Sequence, residues 1–253
     1  MGSVDVAGCE VGALRRSEWL DRLAAAAAGD RPHHHVSMNA AKWVAMRRDR
    51  SLRAAVRGAD SVAADGIGIV WASRWLDQPV PERVAGFDLA QGLVERARAT
   101  GLGVYLLGAA PEVVSAVAER LRSDGVTIVG ARHGYFRPDE ERAVAEGIGR
   151  ARPNLLLVAL GTPAAELFVH RWREVLRAPL MLGVGGTFDV WAGRATRAPP
   201  LAQRWGLEWA WRLAGSPTAR FRRAVVDSAR FVAHVGLGHR IPDDGEPTPA
   251  PPR

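Results

Sequence analysis

Continuous apolar runs of strand length alternate along this chain with stretches whose apolar positions recur every three or four residues. Gly103–Leu107 (GVYLL), Leu155–Leu160 and Leu180–Val184 are such runs, of the length and flanking expected for strands buried on both faces. His33–Met38, Ser61–Ala64 and Val126–Val129 are further strand candidates. Helix candidates lie between them: Leu14–Ala28 closed by Gly29, Ala40–Val56, Ile67–Leu76, Phe87–Ala99, a helix opened by Pro111, Pro138–Ala151, and one from Pro163 to Leu176. The helix after Pro111 shows its apolar face at Val113, Val114, Val117 and Leu121. Proline fits its first position because that N–H has no partner inside the helix. Strand–loop–helix alternation at this spacing predicts an α/β fold, a parallel Rossmann-like sheet flanked by helices.

In such sheets ligands bind beyond the carboxyl ends of the strands. The glycine and polar signals fall there: Asp65-Gly66, Gly108, Gly134-Tyr135, Gly161 and Gly185-Gly186. The 253 residues, 47% hydrophobic and 24% charged, suit one globular unit with a sizeable core. Cys9 is the only cysteine, which excludes an intrachain disulfide and a cysteine zinc site. No apolar run reaches the ~18 residues of a membrane-spanning helix, and no basic region followed by an apolar run stands at the N-terminus, so a signal peptide is not expected. A cytoplasmic location is the expectation.

Net charge changes the picture at one end only. The formal charge of +7 points to an anionic partner. Between Arg194 and Arg240 nine Arg face Glu208 and Asp227, a net of +7, so the rest of the chain is close to neutral. The same stretch holds Trp205, Trp209, Trp211, Phe221 and Phe231. The predicted organisation is an α/β core over 1–193, a basic, aromatic, helical appendage near a membrane over 194–240, and a disordered Pro-rich tail over 241–253. A truncation near Gly193 is then expected to leave a folded core. Lys42 is the only lysine, a bias that reads as codon usage in a GC-rich genome.

Several residues carry candidate chemistry. Gly183-Val184-Gly185-Gly186-Thr187-Phe188-Asp189 follows a strand, and backbone N–H groups of such a turn can cradle a diphosphate. A tight turn without a ligand uses the same residues. The stretch is neither G-x-G-x-x-G nor a Walker A loop, which counts against dinucleotide and P-loop readings. Asp65 stands where a carboxylate can act as general base, although Asp before Gly is more often a helix cap. Arg83, on a loop bounded by Pro81 and Gly86, can form a fork to phosphate oxygens or a surface ion pair with Glu82 or Asp88. His33-His34-His35 invites a metal, but alternate residues of a strand face opposite ways. No Asp-x-Asp motif is present, so the chemistry reads as free of metal and cofactor. The absence of G-x-S-x-G counts against Ser-His-Asp hydrolysis.

Taken in order, the motifs resemble the WecG/TagA/CpsF glycosyltransferases of bacterial surface-polysaccharide and teichoic acid synthesis. The matching stretches begin with Ser37-Met38-Asn39, Ala64-Asp65-Gly66-Ile67-Gly68, Pro81-Glu82-Arg83-Val84-Ala85-Gly86-Phe87-Asp88 and Val104–Gly108. They continue through Gly134-Tyr135-Phe136, Ala159-Leu160-Gly161-Thr162-Pro163, Gly183–Asp189 and Arg197-Ala198-Pro199 to Gly206-Leu207-Glu208-Trp209 and Arg212. The resemblance implies an inverting transferase that moves a sugar from a UDP-sugar to a sugar on a polyprenyl diphosphate. The sugar would be of N-acetylmannosamine, glucose or uronic acid type. It implies Asp65 as base. Ser37, Asn39, Arg83, Arg212, Arg220 and Arg223 would contact acceptor or diphosphate. Gly108, Tyr135, Gly161, Glu166, Gly185, Gly186 and Asp189 would line the donor site. Ala165 departs from the family's G-x-P-x-Q-E, where Gln is usual, and this bears on substrate identity. The implied partners are donor, acceptor and an anionic membrane surface, at the inner face of the bacterial membrane; a homo-oligomer is compatible. Two competing readings are a catalytically impaired scaffold, suggested by Ala165, and a nucleic-acid-binding module, suggested by the Arg and Trp content. The second leaves the ordered loop motifs unexplained, and no nucleic-acid partner is expected.

Overall fold

The computed structural model describes residues 2–196 and 219–243, without the side chains of 219–225. A short antiparallel hairpin, β1 (Ser3–Asp5) and β2 (Glu10–Gly12), opens the chain. Six strands then form one parallel sheet: β3 (His33–Met38), β4 (Ser61–Ala64), β5 (Val104–Gly108), β6 (Ile128–Arg132), β7 (Leu155–Ala159) and β8 (Leu180–Gly183). Their order is β4-β3-β8-β7-β5-β6. The chain enters at β3, steps outward to β4, then crosses to β5 on the far side of β8 and β7. A reversal of this kind opens a crevice beyond the carboxyl ends of the strands.

The helices are α1 (Arg16–Ala27), α2 (Ala40–Arg48), α3 (Arg50–Arg57), α4 (Ile67–Trp75), α5 (Gly86–Thr100), α6 (Pro111–Ser123), α7 (Glu141–Ala151), α8 (Ala164–Leu176), α9 (Thr187–Trp191) and α10 (Ala219–Gly236). They cover both faces of the sheet, which is why the central strands are apolar throughout. Along β7, Leu155 and Leu157 enter one apolar cluster with Trp19, Leu89 and Phe188. Leu156 and Val158 enter another with Ile148, Phe168 and Met181. The alternation is the two-residue period of a strand.

Three elements differ from the sequence expectation. The helix expected over Ala40–Val56 breaks at Asp49, whose Oδ1 accepts from Leu52 N–H at 3.0 Å and caps α3. β6 begins two residues later than expected and runs on through Gly130 to Arg132. It is an edge strand packed on one face, and Gly130 lies against the Tyr105 ring, where a Cβ would have no room. The hairpin was not anticipated, because its strands have only three residues each.

The largest difference lies at the C-terminus. Phe231 and Val235 of α10 share an apolar cluster with Trp43, Met46, Ile69 and Val70. The Phe231 and Trp43 rings meet edge-on, 5.1 Å between centroids. Ile241, placed in the tail by the sequence, is 3% exposed, and its N–H donates to Ala7 O at 2.8 Å. Arg240 pairs with Asp5, and Arg57 donates to Pro242 O at 3.1 Å. A cut near Gly193 would therefore strip part of the core, which corrects the expectation that it leaves the remainder intact. Trp205, Trp209 and Trp211 lie outside the described residues.

If α10 is core, Phe231→Ala should cost about 3–5 kcal/mol, the range for a fully buried aromatic. Urea unfolding measures it, and a loss below about 1 kcal/mol would show that α10 merely rests on the surface.

Candidate active site

β3 and β4 end side by side, with Ser37 opposite Ala63 and Met38 opposite Ala64. The N–H groups of Asp65 and Gly66 both donate to Met38 O, at 2.8 and 3.2 Å, which fixes Asp65 beside the end of β3. Val84 N–H donates to Ala64 O at 2.7 Å, so the loop carrying Arg83 is tied to the same strand end. A Cβ on Gly86, the first residue of α5, would stand 2.9 Å from Ser37 Oγ and 3.6 Å from Asp65 Oδ2. Ser37, Asp65 and the start of α5 thus share one spot, where the backbone approaches too closely for a larger residue. Gly86 figured in the sequence only as part of a motif; a helix opening on glycine was the signal.

The capping alternatives separate cleanly. The N-cap of α4 is Gly66, so Asp65 is not at the cap position of that helix. Asn39 is the residue that caps: its Oδ1 accepts from Lys42 N–H at 2.9 Å. Arg16 meets both acids near Arg83. Glu82 accepts from the Arg16 backbone N–H, and Asp88 faces the Arg16 guanidinium at 3.9 Å.

Lys42 is the residue that sequence reasoning missed. Its Nζ donates to Ser37 O and to Glu166 Oε1, both at 2.7 Å, with the two side chains 7% and 4% exposed. Glu166, expected among the donor contacts, therefore lies inside, where α8 meets α2. Glu166 Oε2 and Ser37 Oγ are both buried without a hydrogen-bond partner. The signal was Lys42's being the one lysine among 34 basic residues. Ala165, the departure from the family pattern, packs in the core against Met181 and Phe168.

The remaining candidates stand after the other strands along the same edge. Gly108 ends β5 with φ +120°, and a Cβ there would lie 2.4 Å from Ala159 O. The approach of β5 to β7 requires this glycine, whatever binds nearby. Gly161 and Gly185 have φ +75° and +52°, with nothing within 4 Å of a Cβ position. Backbone conformation calls for glycine there, and the space beside them is open. Gly186 caps α9, and Asp189 Oδ2 is 3.9 Å from its Cβ position. Tyr135, after β6, is 75% exposed. Arg212 lies outside the described residues; Arg220 and Arg223 fall on α10, but their side chains are not described.

The three histidines sit at the opposite end of β3. His33 Nε2 and His35 Nδ1 both meet Ser61 Oγ at 2.8 Å. Burial holds His34 down at about 3 and keeps His33 and His35 below the usual range; His34 and His35 are core groups and His33 is half-buried. Burial pushes the Cys9 thiol up to about 12, which leaves it inert. Among the described residues no three His, Cys, Asp or Glu side chains are grouped to hold a metal. A cavity of about 970 Å³ opens at this same amino end, between Asp5, Arg57, Ser61 and Arg240, away from Asp65.

Comparison with known proteins identifies the family. The family model for the glycosyl transferase WecG/TagA/CpsF family matches residues 4–242. Over 174 residues the chain is 38% identical to an N-acetylglucosaminyldiphosphoundecaprenol N-acetyl-beta-D-mannosaminyltransferase of Bacillus spizizenii. The match covers 68% of this chain and 66% of that relative, just under two thirds of the relative's length.

Removing one partner of a buried ion pair leaves the other charge stranded. Lys42→Met should therefore cost about 3–5 kcal/mol in urea unfolding, and Lys42→Met with Glu166→Leu should recover most of it. Equal losses in the single and double variants would mean that Glu166 does not depend on Lys42.

Proposed function

The chain belongs to the WecG/TagA/CpsF family of glycosyltransferases, and we propose that it moves a sugar from a UDP-sugar to a polyprenyl-diphosphate-linked sugar in surface-polysaccharide or teichoic acid synthesis. The observation that carries this reading is the Asp65 carboxylate, held beside Ser37 and Gly86 at the carboxyl edge of the sheet. The relative's name states N-acetylmannosaminyl transfer onto N-acetylglucosaminyldiphosphoundecaprenol. An N-acetylmannosamine donor is the first to test, before glucose-type and uronic acid donors.

The reaction is a single displacement. The acceptor hydroxyl oxygen attacks C1 of the donor sugar, and the bond from C1 to the β-phosphate oxygen breaks. UDP leaves with the bonding pair, the hydroxyl proton passes to Asp65, and the configuration at C1 inverts. A carboxylate placed to take that proton lowers the barrier by general base catalysis. Charge grows on the departing diphosphate, where oriented backbone N–H groups and a cation stabilise it. Gly185 and Gly186 are the assigned cradle, and Arg83 is the assigned cation. The open space beside Gly185 supports the first assignment. The tie from Val84 to Ala64 supports the second, since it holds the Arg83 loop against the strand that leads into Asp65. Arg212, Arg220 and Arg223 would meet the acceptor's diphosphate. The working location is the inner face of the cell membrane, on anionic headgroups.

Asp65→Asn preserves shape and removes basicity. It should lower kcat by about 10²–10⁴ while donor affinity changes little. Unchanged turnover would remove Asp65 from the mechanism, and absence of turnover in the unmodified protein with every donor would favour a scaffold.

With backbone and arginine stabilising the leaving group, transfer should survive EDTA. Complete loss in chelator, restored by Mg²⁺ or Mn²⁺, would overturn the metal-independent assignment.

A further inference from the structure

α4 leaves one face uncovered. Ile69, Val70, Ala72 and Ser73 point into the core. Trp71, Arg74 and Trp75, three and four residues apart, point outward, and the two indoles are 57% and 64% exposed. α10 passes beside this face, since a Cβ on Gly236 would lie 3.1 Å from Trp75 Cη2. Leu237 follows Gly236 directly, and Val232 precedes it by one turn; both are exposed. Single exposed hydrophobes need no explanation, but two tryptophans flanked by two aliphatic side chains on adjoining helices do.

Among the described side chains of α2, α4 and α10, the arginines Arg47, Arg48, Arg74 and Arg230 outnumber the acidic Asp227, and one further acid, Asp77, is exposed just past α4. One of these, Arg47, lies over the Trp43 ring, 5.7 Å from its centroid, on the helix that packs against α10. A second copy of the chain meeting this face through itself would bring like charges together. An anionic, partly apolar surface complements it.

We propose that the Trp71–Trp75 face of α4, with the adjoining edge of α10, docks on an anionic lipid bilayer. Indole rings settle at the boundary between headgroups and acyl chains. Arginines beside them gain from the negative surface potential, and the two effects together hold a protein that lacks a spanning helix. Among the described residues no helix is long and apolar enough to cross a membrane. The sequence put membrane contact over 194–240; α10 lies within that stretch, and the Trp71–Trp75 face of α4 lies outside it. The purpose of the surface rests on the transferase reading. α4 starts at Ile67, two residues after Asp65, and its nine residues span about 13 Å. Docking along α4 keeps the base at the bilayer, where a lipid-linked acceptor must be met.

The test uses the full chain with vesicles of phosphatidylglycerol and phosphatidylcholine at low salt, beside vesicles of phosphatidylcholine alone. The unmodified protein should sediment with the anionic vesicles and not with the neutral ones. Trp71→Gln with Trp75→Gln should weaken that binding by about tenfold or more. Both positions are exposed, so the thermal midpoint should stay unchanged and report that the variant is folded. Turnover on a short-chain, water-soluble acceptor should also stay unchanged, while turnover on vesicle-embedded acceptor falls. Vesicle binding unaffected by the two substitutions overturns the proposal, as does failure of the unmodified protein to bind. Loss of self-association in the variant, seen by sedimentation velocity without any vesicle effect, would make the face an interface between copies and overturn it equally. Failure of the transferase reading looks different: no turnover on the soluble acceptor, with vesicle binding intact and still dependent on the tryptophans.

Discussion

One buried cation holds the carboxyl edge of the sheet together. Lys42 Nζ reaches from α2 to Ser37 O on β3 and to Glu166 Oε1 on α8, joining two elements that flank the same crevice. Taking both charges out of water costs several kcal/mol per ion, and only short, well-directed bonds offset it. The geometry also decides which cation fits. An ammonium is a compact charge at the end of a flexible stem, whereas a guanidinium is a flat fork. In a chain whose other 33 basic residues are Arg, a lysine in a buried pair is more than residue usage. The candidate site inherits this rigidity, since Lys42 Nζ holds Ser37 O and the Lys42 N–H is capped by Asn39.

The sequence made the sheet legible because a parallel sheet covered on both faces forces continuous apolar strands, and those are hard to hide. β5, β7 and β8 were readable for that reason. β6 was placed early because an edge strand packs on one face only, so its later, polar half looks like a loop. The break at Asp49 was masked by residues on both sides that favour helix. Local pattern cannot weigh a side-chain cap against helix continuity.

The site was legible in a different way. Asp65, Ser37 and the glycine turns could be found because each sits where a strand stops. Their meeting at one spot depends on two backbone bonds, Asp65 N–H to Met38 O and Val84 N–H to Ala64 O, which no residue pattern encodes. Glu166 shows what pattern leaves out. A motif Glu on the first turn of a helix after a loop reads as a ligand contact, and the structure adds that it is buried and paired with Lys42. Gly108 likewise carries a signal that strand packing explains by itself.

Charge arithmetic located the cationic segment but not its mechanics. The sum over 194–240 treats the stretch as one surface, while Phe231 and Val235 within it sit in the same apolar cluster as Trp43. α10 is thus both core and surface: its inner side completes the packing of α2 and α4, and Arg230 and Val232 are exposed on its outer side. This dual role has a consequence for the proposed docking on a membrane. A loosely tethered basic tail would bind headgroups while leaving the orientation of the sheet free. A helix packed into the core transmits contact at its outer side to α4, and α4 begins at the turn that holds Asp65. Orientation of the crevice relative to a surface then follows from core packing, and needs no separate hinge or docking module.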